Sequence, residues 1–219
     1  MSYFQKIFDE KDKDLNEAKK CIKHLEKRVN NLEERLDATD SYERRDTLVI
    51  SGHVPVAHER ENCNMIVRNM LKEIHINVPE NEISTAHRLG KKPAYGKEDK
   101  RNIIFKLCRR DIKREILDAC RQQKPRYYIN ESLTPTRSAI MYVLRKAKQL
   151  HPDIIGSTKS FDGNVQVWLP TSTIASASNS SPKYNRTTIN TKEKLEELLQ
   201  SKLSCSWNKF IERWPENIN

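Results

Sequence analysis

"RNIIFKLCRRDIKREILDACRQQKPRYYINES", residues 101–132, passes from strand to helix and back to strand within one short stretch. Ile103, Ile104, Phe105 and Leu107 make a β-branched and aromatic run. Asp111 then stands where a helix cap is wanted, and Ile112, Ile116, Leu117 and Cys120 recur at helical spacing. "RYYINES" returns to a β-prone run. Upstream, "TLVISG" (Thr47–Gly52) is a short apolar strand stopped by glycine. Between Glu61 and Ile76 the residues Met65, Ile66, Met70, Leu71 and Ile74 mark a helix that starts near Asn62, and Glu82 to Leu89 is a weaker strand.

The resulting order is β-α-β-β-α-β over residues 47–132. It predicts an α+β chain built on a ferredoxin-like domain, the fold of RNA-recognition motifs and equally of many metabolic and regulatory domains. After Leu133-Thr134-Pro135, with proline suited to a first helical turn, a helix is expected over Thr136–Leu150. "KSFDGNVQVWL" reads as a hairpin with Asp162-Gly163 as its turn. Residues 133–170 are therefore expected to form a small α/β C-terminal domain that leans on its neighbour, since so short a segment buries little core. Residues 171–189, rich in Ser and Thr, read as a flexible linker. Residues 190–214 read as an amphipathic tail helix, with capping-box spacing at Asn190 and Glu193 and an apolar face of Leu195, Leu198, Leu199, Leu203, Trp207, Phe210, Ile211 and Trp214.

Residues 1–46 have another texture. Placing Phe8, Leu15, Ile22, Val29 and Leu36 at heptad position a puts Phe4, Ala18, Leu25 and Leu32 at d, broken only by Lys11 and Thr39. So narrow a seam on a charged helix predicts a coiled coil that joins copies of the chain. Ile and Val at a with Leu at d favour two strands. In "RVNNLE" Arg28 at g can reach Glu33 at e′ and cover Val29 and Leu32 with its stem, and the pattern resembles a known trimer-favouring motif of short parallel coiled coils. A homotrimer is expected first and a dimer second.

The formal charge of +10 is concentrated. Residues 47–170 hold 22 Lys/Arg against 13 Asp/Glu, net +9, whereas the segment before them is −1 and the one after is +2. Phosphate-bearing partners suit such a segment. Cys21, Cys63, Cys108, Cys120 and Cys205 form no C-x-x-C pair, which argues against a zinc knuckle and a disulfide framework and for a reducing compartment. No signal-like or membrane-spanning apolar run is present, so an intracellular, membrane-free protein is expected. No G-x-S-x-G, H-E-x-x-H or P-loop occurs, and the six histidines form no ligand-spaced cluster. No enzyme, cofactor or metal is expected.

Four stretches in order, "LEERLDATDSYERRDTLVISG", "ISTAHRLGKKP", "RNIIFKLCRRDIKREIL" and "INESLTPTRSAIMYVLRKAKQL", resemble the first open-reading-frame protein of LINE-type (long interspersed element) retrotransposons. The likeness covers roughly residues 15–170. It implies a parallel homotrimer in which a noncanonical RNA-recognition domain and a C-terminal domain clamp single-stranded RNA, with single-stranded DNA as a second ligand. It also implies coating of the element's own transcript in cytoplasmic ribonucleoprotein particles, with nuclear entry open, and chaperone activity without catalysis. On that basis Arg88 is expected to face the interdomain cleft, with Lys91, Lys92, Lys97 and Lys100 flanking it. Arg137, Arg145 and Lys146 stand roughly where mammalian members carry an arginine pair, and Arg44, Arg45, Arg101 and Arg126 are further candidates. The chain departs from ordinary RNA-recognition domains in lacking aromatics on "TLVISG" and offering only Phe105 on the third strand. Tyr127, Tyr128, Tyr142 and Trp168 are the remaining stacking candidates. Two alternatives stand beside this reading: Arg88 as a structural ion pair, and a coiled-coil scaffold that binds protein through the ferredoxin-like domain and the tail helix.

Overall fold

The computed structural model describes residues 3–57, 61–94, 98–170 and 184–206; the side chains of Phe4, Gln5, Lys6 and Phe8 lie outside that set. The chain divides into two compact units between Asp40 and Ser41. A single helix, α1, runs from Tyr3 to Glu43. Its apolar residues are open to solvent in the single chain: Leu15 51%, Ile22 55%, Leu25 50%, Val29 50%, Leu32 58% and Leu36 71% exposed. Arg28 and Glu33 are exposed with them.

The second unit begins with β1 (Thr47–Gly52), α2 (Cys63–Glu73), a 3-10 turn at Glu80–Glu82, β2 (Ile83–Arg88), β3 (Ile103–Leu107), α3 (Asp111–Gln123) and β4 (Tyr127–Glu131). The four strands form one sheet in the order β2-β3-β1-β4, with every pairing antiparallel. Period-two alternation decides its faces. Leu48, Ile50, Ile103, Phe105, Leu107, Tyr127 and Ile129 pack with Val67, Met70 and Leu71 of α2 and Ile116 of α3. The intervening positions, Val49, Ser51, Ile104, Lys106, Tyr128 and Asn130, fall on the opposite face. Phe105 is 1% exposed, so the one aromatic of the third strand belongs to the core. Asn62 caps α2 by accepting from the Asn64 and Met65 amides at 3.0 and 3.3 Å. Asp111 opens α3 inside its first turn, with Arg110 in the cap position.

A second core follows, made by α4 (Pro135–Leu150), β5 (Ser157–Phe161), β6 (Asn164–Pro170), β7 (Tyr184–Thr188) and α5 (Lys192–Leu203). Ile140, Val143, Leu144 and Ala147 of α4 meet Ile155, Val165, Val167, Ile189, Leu195 and Leu199. Thr134 caps α4 with Pro135 in the first turn. The hairpin turns at Asp162 and Gly163, both at positive φ (48° and 76°). A Cβ on Gly163 would come within 2.5 Å of the Ser41 hydroxyl, so glycine is also needed there for close approach.

Here the structure departs from the domain limits read from the sequence. The small domain extends beyond Pro170 to include β7 and α5, and residues 184–188 of the expected linker are a strand paired with β6. "YNRTT" is an edge strand whose five side chains are all exposed, so backbone pairing holds it and no apolar alternation announces it. α5 starts at Thr191, which accepts from the Lys194 amide. Asn190 instead accepts from Val165 N and donates to Asn164 Oδ1. α5 stops at Leu203 because Ser204 turns left-handed, short of the expected end at residue 214. Its apolar face is spent on its own core, which removes residues 192–203 as a partner-binding face. Residues 171–183 of the linker, Lys97, and Trp207, Phe210, Ile211 and Trp214 lie outside the described residues.

One buried ion pair ties the first sheet to the hairpin. Lys113 Nζ lies 2.6 Å from Glu131 Oε1, with side-chain exposures of 5% and 4%. Glu131 also accepts from the Asp162 and Gly163 amides at 2.9 and 3.4 Å. Lys113 donates to the Arg45 carbonyl and stands 3.6 Å from Asp162. Replacing Lys113 with Met should cost about 3 kcal/mol in urea unfolding, because it strands a buried carboxylate. Unchanged stability would show that the Asp162 and Gly163 amides suffice to hold Glu131.

Candidate nucleic-acid interface

A cleft of about 450 Å³ opens between the uncovered face of the first sheet and α4. Its floor is Val49, Ser51, Ile104 and Asn130, which reach it because they alternate with the core residues of β1, β3 and β4. Its wall is Ser138, Met141, Tyr142 and Arg145, successive turns of one helix face. Arg44, Leu89, Asn102 and Ser160 complete the rim. Tyr142 is 50% exposed and Lys146 lies 5.8 Å from its ring centre. Tyr128, 66% exposed, sits on the same sheet face as Asn130 and opposite Ser51. Two guanidiniums, the Tyr142 phenol ring and several uncharged amide and hydroxyl groups thus share one open trough, with Tyr128 on the same sheet face outside its lining. Glu131 also lines the cleft, buried and with its charge met by Lys113.

The structure sorts the candidate cations into four groups. Arg44 and Arg145 line the cleft, and Lys146 flanks Tyr142. Lys91 and Lys92 are exposed in the loop that follows Leu89 at the rim, and Arg126 is exposed directly before β4. Arg45 lies 3.6 Å from the Tyr42 ring centre and 3.5 Å from Asp46.

Arg88, Arg137 and Arg101 correct the expectation. Arg88 is on the core side of β2 with its side chain 4% exposed. It donates to both Glu61 carboxylate oxygens (3.0 and 2.8 Å), to the Arg101 carbonyl at 2.9 Å and to the Pro55 carbonyl at 2.8 Å. With four of five N–H donors so committed, it closes a loop onto the sheet and reaches no ligand. Arg137 is 6% exposed and donates to Ser41 Oγ (2.6 Å), the Gly163 carbonyl (3.1 Å) and Asn164 Oδ1 (3.4 Å). It fixes the hairpin to α4. Arg101 makes a two-pronged contact with Asp99 and donates to the Gly90 carbonyl. That contact holds the Asp99 carboxyl down at about 2. A depressed carboxyl contributes stability above its ordinary range and loses it only as pH falls through about 2, so the Arg101 charge stays matched in any physiological medium.

Tyr127 is likewise a core residue. Its hydroxyl donates to the Met70 carbonyl, and burial pushes the phenol pKa up. Sequence reasoning missed Ser51, Asn102, Asn130, Ser138 and Met141; the alternation along β1 and β4 was the available signal for the first and third. Among the described residues no group of three or more His, Cys, Asp or Glu could hold a metal, and no described helix is long and apolar enough to cross a membrane.

Arg88→Ala should lower stability by about 3–5 kcal/mol, since Glu61 would lose a buried partner, while ligand affinity of the folded protein stays unchanged. A loss of affinity at an unaltered urea midpoint would put Arg88 back at the ligand. A scan against models of known protein families finds none that matches this chain, and a search of curated proteins finds no match.

Proposed function

We propose that the cleft binds single-stranded nucleic acid, RNA in first place, and that α1 assembles copies of the chain through a parallel coiled coil, as a homotrimer. The carrying observation is the trough between a bare sheet face and a helix that presents Tyr142 and Arg145 opposite Ser51 and Asn130, with Arg44 at its rim. Arginines neutralise phosphates, phenol rings take base faces, and neutral polar groups on the floor hydrogen-bond without demanding one sequence. The strand order β2-β3-β1-β4 with helices on one face supports reading residues 47–132 as a ferredoxin-like βαββαβ domain. Phosphate contact and the edge-strand Tyr128 replace the usual aromatics of the two central strands. The exposed a and d residues of α1 support self-association, because a stripe of half-exposed leucines gains most of its burial from a partner helix. In this reading the protein is the coat and nucleic-acid chaperone of a retrotransposon transcript, working in cytoplasmic ribonucleoprotein particles, with no chemistry of its own.

Fluorescence anisotropy with a labelled single-stranded RNA of about thirty nucleotides, a length covering more than one site, tests the cleft. Affinity should fall steeply with salt. The Arg44→Glu/Arg145→Glu protein should bind at least about tenfold more weakly, with its log–log salt slope reduced by about 0.7 for each phosphate no longer neutralised. Equal affinity and slope in both proteins would overturn the assignment. For α1, sedimentation equilibrium should give three times the 25.7 kDa chain mass, and Leu25→Asp/Leu32→Asp should give the monomer. A monomeric parent protein would remove the coiled coil.

A further inference from the structure

We propose that the outward face of the β5-β6-β7 sheet is a second single-strand-binding surface, on which unpaired bases stack against Trp168 and Tyr184 while Lys159 and Arg186 take the adjoining phosphates. It draws its ligand class from the cleft reading, and occupies a different surface.

Val165 and Val167 of β6 point into the second core at 0% exposed, so Gln166 and Trp168 point the other way. Strand register then places every outward neighbour. Ser157, Trp168 and Arg186 lie side by side across the three strands, as do Lys159, Gln166 and Thr188, while Tyr184 pairs with Pro170 and Phe161 with Asn164. None of these ten outward positions is acidic. A purely structural surface normally mixes both signs; here three aromatic rings and two cations share one face with neutral polar groups. Arg114 of α3 adds a third cation, 5.5 Å from the Phe161 ring centre.

Two of the rings are open to solvent and Trp168 is half-buried between them and its neighbours. Phe161 is 48% and Tyr184 47% exposed, and Lys159 Nζ stands 5.7 Å from the Trp168 ring centre. Tyr184 is also held in place. A Cβ on Gly156 would come 2.5 Å from its Cε1 and 2.9 Å from its Cδ1, so the ring crosses β6 and rests against bare glycine backbone. Gly156 itself is bonded to the strand through its amide and the Trp168 carbonyl, 2.8 Å apart. Trp168 and Tyr184 are diagonal cross-strand neighbours, a separation of about 7–8 Å. Two platforms that close, flanked by Lys159 and Arg186, suit consecutive bases of an extended strand and offer no edge-specific hydrogen-bond code. Charge complementarity selects a polyanion, and the rings select one with bases.

The test uses the full chain with Trp207→Phe and Trp214→Phe, which leaves Trp168 as its sole tryptophan. Titration with unlabelled oligouridylate of about twenty nucleotides should quench Trp168 saturably, since a length of that order spans more than one single-strand site. Lys159→Glu/Arg186→Glu, Tyr184→Ala and, by displacing the ring, Gly156→Ala should each weaken the quenching titration by about tenfold, the scale of removing one stacked ring or one phosphate partner. Circular dichroism checks that each variant keeps its fold. The same quenching should persist in the Arg44→Glu/Arg145→Glu protein, which separates this surface from the cleft. No quenching while anisotropy still reports cleft binding would overturn the inference and leave the cleft intact. Quenching indifferent to Lys159 and Arg186 would overturn it too, since the phosphates would then have no partner on that face. Quenching that vanishes with the cleft arginines would mean that there is one site only.

Discussion

Glu131 is held by donors from two parts of the fold: the Lys113 ammonium on α3 and the backbone amides of Asp162 and Gly163 at the hairpin turn. A carboxylate so deeply buried tolerates its loss of hydration only while those donors stay in place. The turn is therefore pinned to the end of β4. Arg137 adds a second tie from α4 to the same turn and to Ser41. Together they fix α4 and the first sheet face to face, and the cleft exists because these two surfaces are held apart by a polar joint and not merged into one apolar core.

The arginines divide by chemistry. A guanidinium offers a planar fork of five donors, which suits it to gathering buried carbonyls and a carboxylate as well as to gripping phosphate. Arg88, Arg101 and Arg137 do the first. Each sits where a loop or turn must be closed on a strand or helix, with carbonyl oxygens converging on it. Arg145 and Lys146 sit on a helix surface at successive exposed positions and keep their charge toward solvent or the trough. The basic excess of residues 47–170 is thus partly structural, and the portion left facing solvent is smaller than the count suggests.

Among the described residues, two kinds of surface besides the cleft stand open in the single chain. α1 leaves leucine, isoleucine and valine half exposed along one stripe, a pattern that asks for another helix. The outer face of the β5-β6-β7 sheet carries Phe161, Tyr184, Lys159 and Arg186 exposed together, with Trp168 half-buried among them. Tail helix α5 is different: Leu195 and Leu199 are fully buried, so its amphipathicity is satisfied internally.

The amino-acid sequence by itself determined the elements whose side chains carry a period. α2, α3, α4 and the four strands of the first sheet were legible because burial on one side patterns their apolar residues, the hairpin because Asp162-Gly163 marks its turn, and α1 because its apolar residues keep a heptad rhythm. Arg145 and Lys146 were legible as exposed cations on a helix, and Arg44 as one just before β1. Tertiary structure alone decided the rest. β7 is held by backbone pairing on an edge, and backbone amides are the same in every residue, so no side-chain pattern marks it. The limit of α5 rests on one left-handed residue, Ser204. Whether an arginine meets a phosphate or a buried Glu61 depends on which loop folds back over it, and residues 27 apart in sequence give no sign of that meeting. Which cations stay open to solvent is set by long-range contacts of this kind, which local chemistry along the chain does not encode.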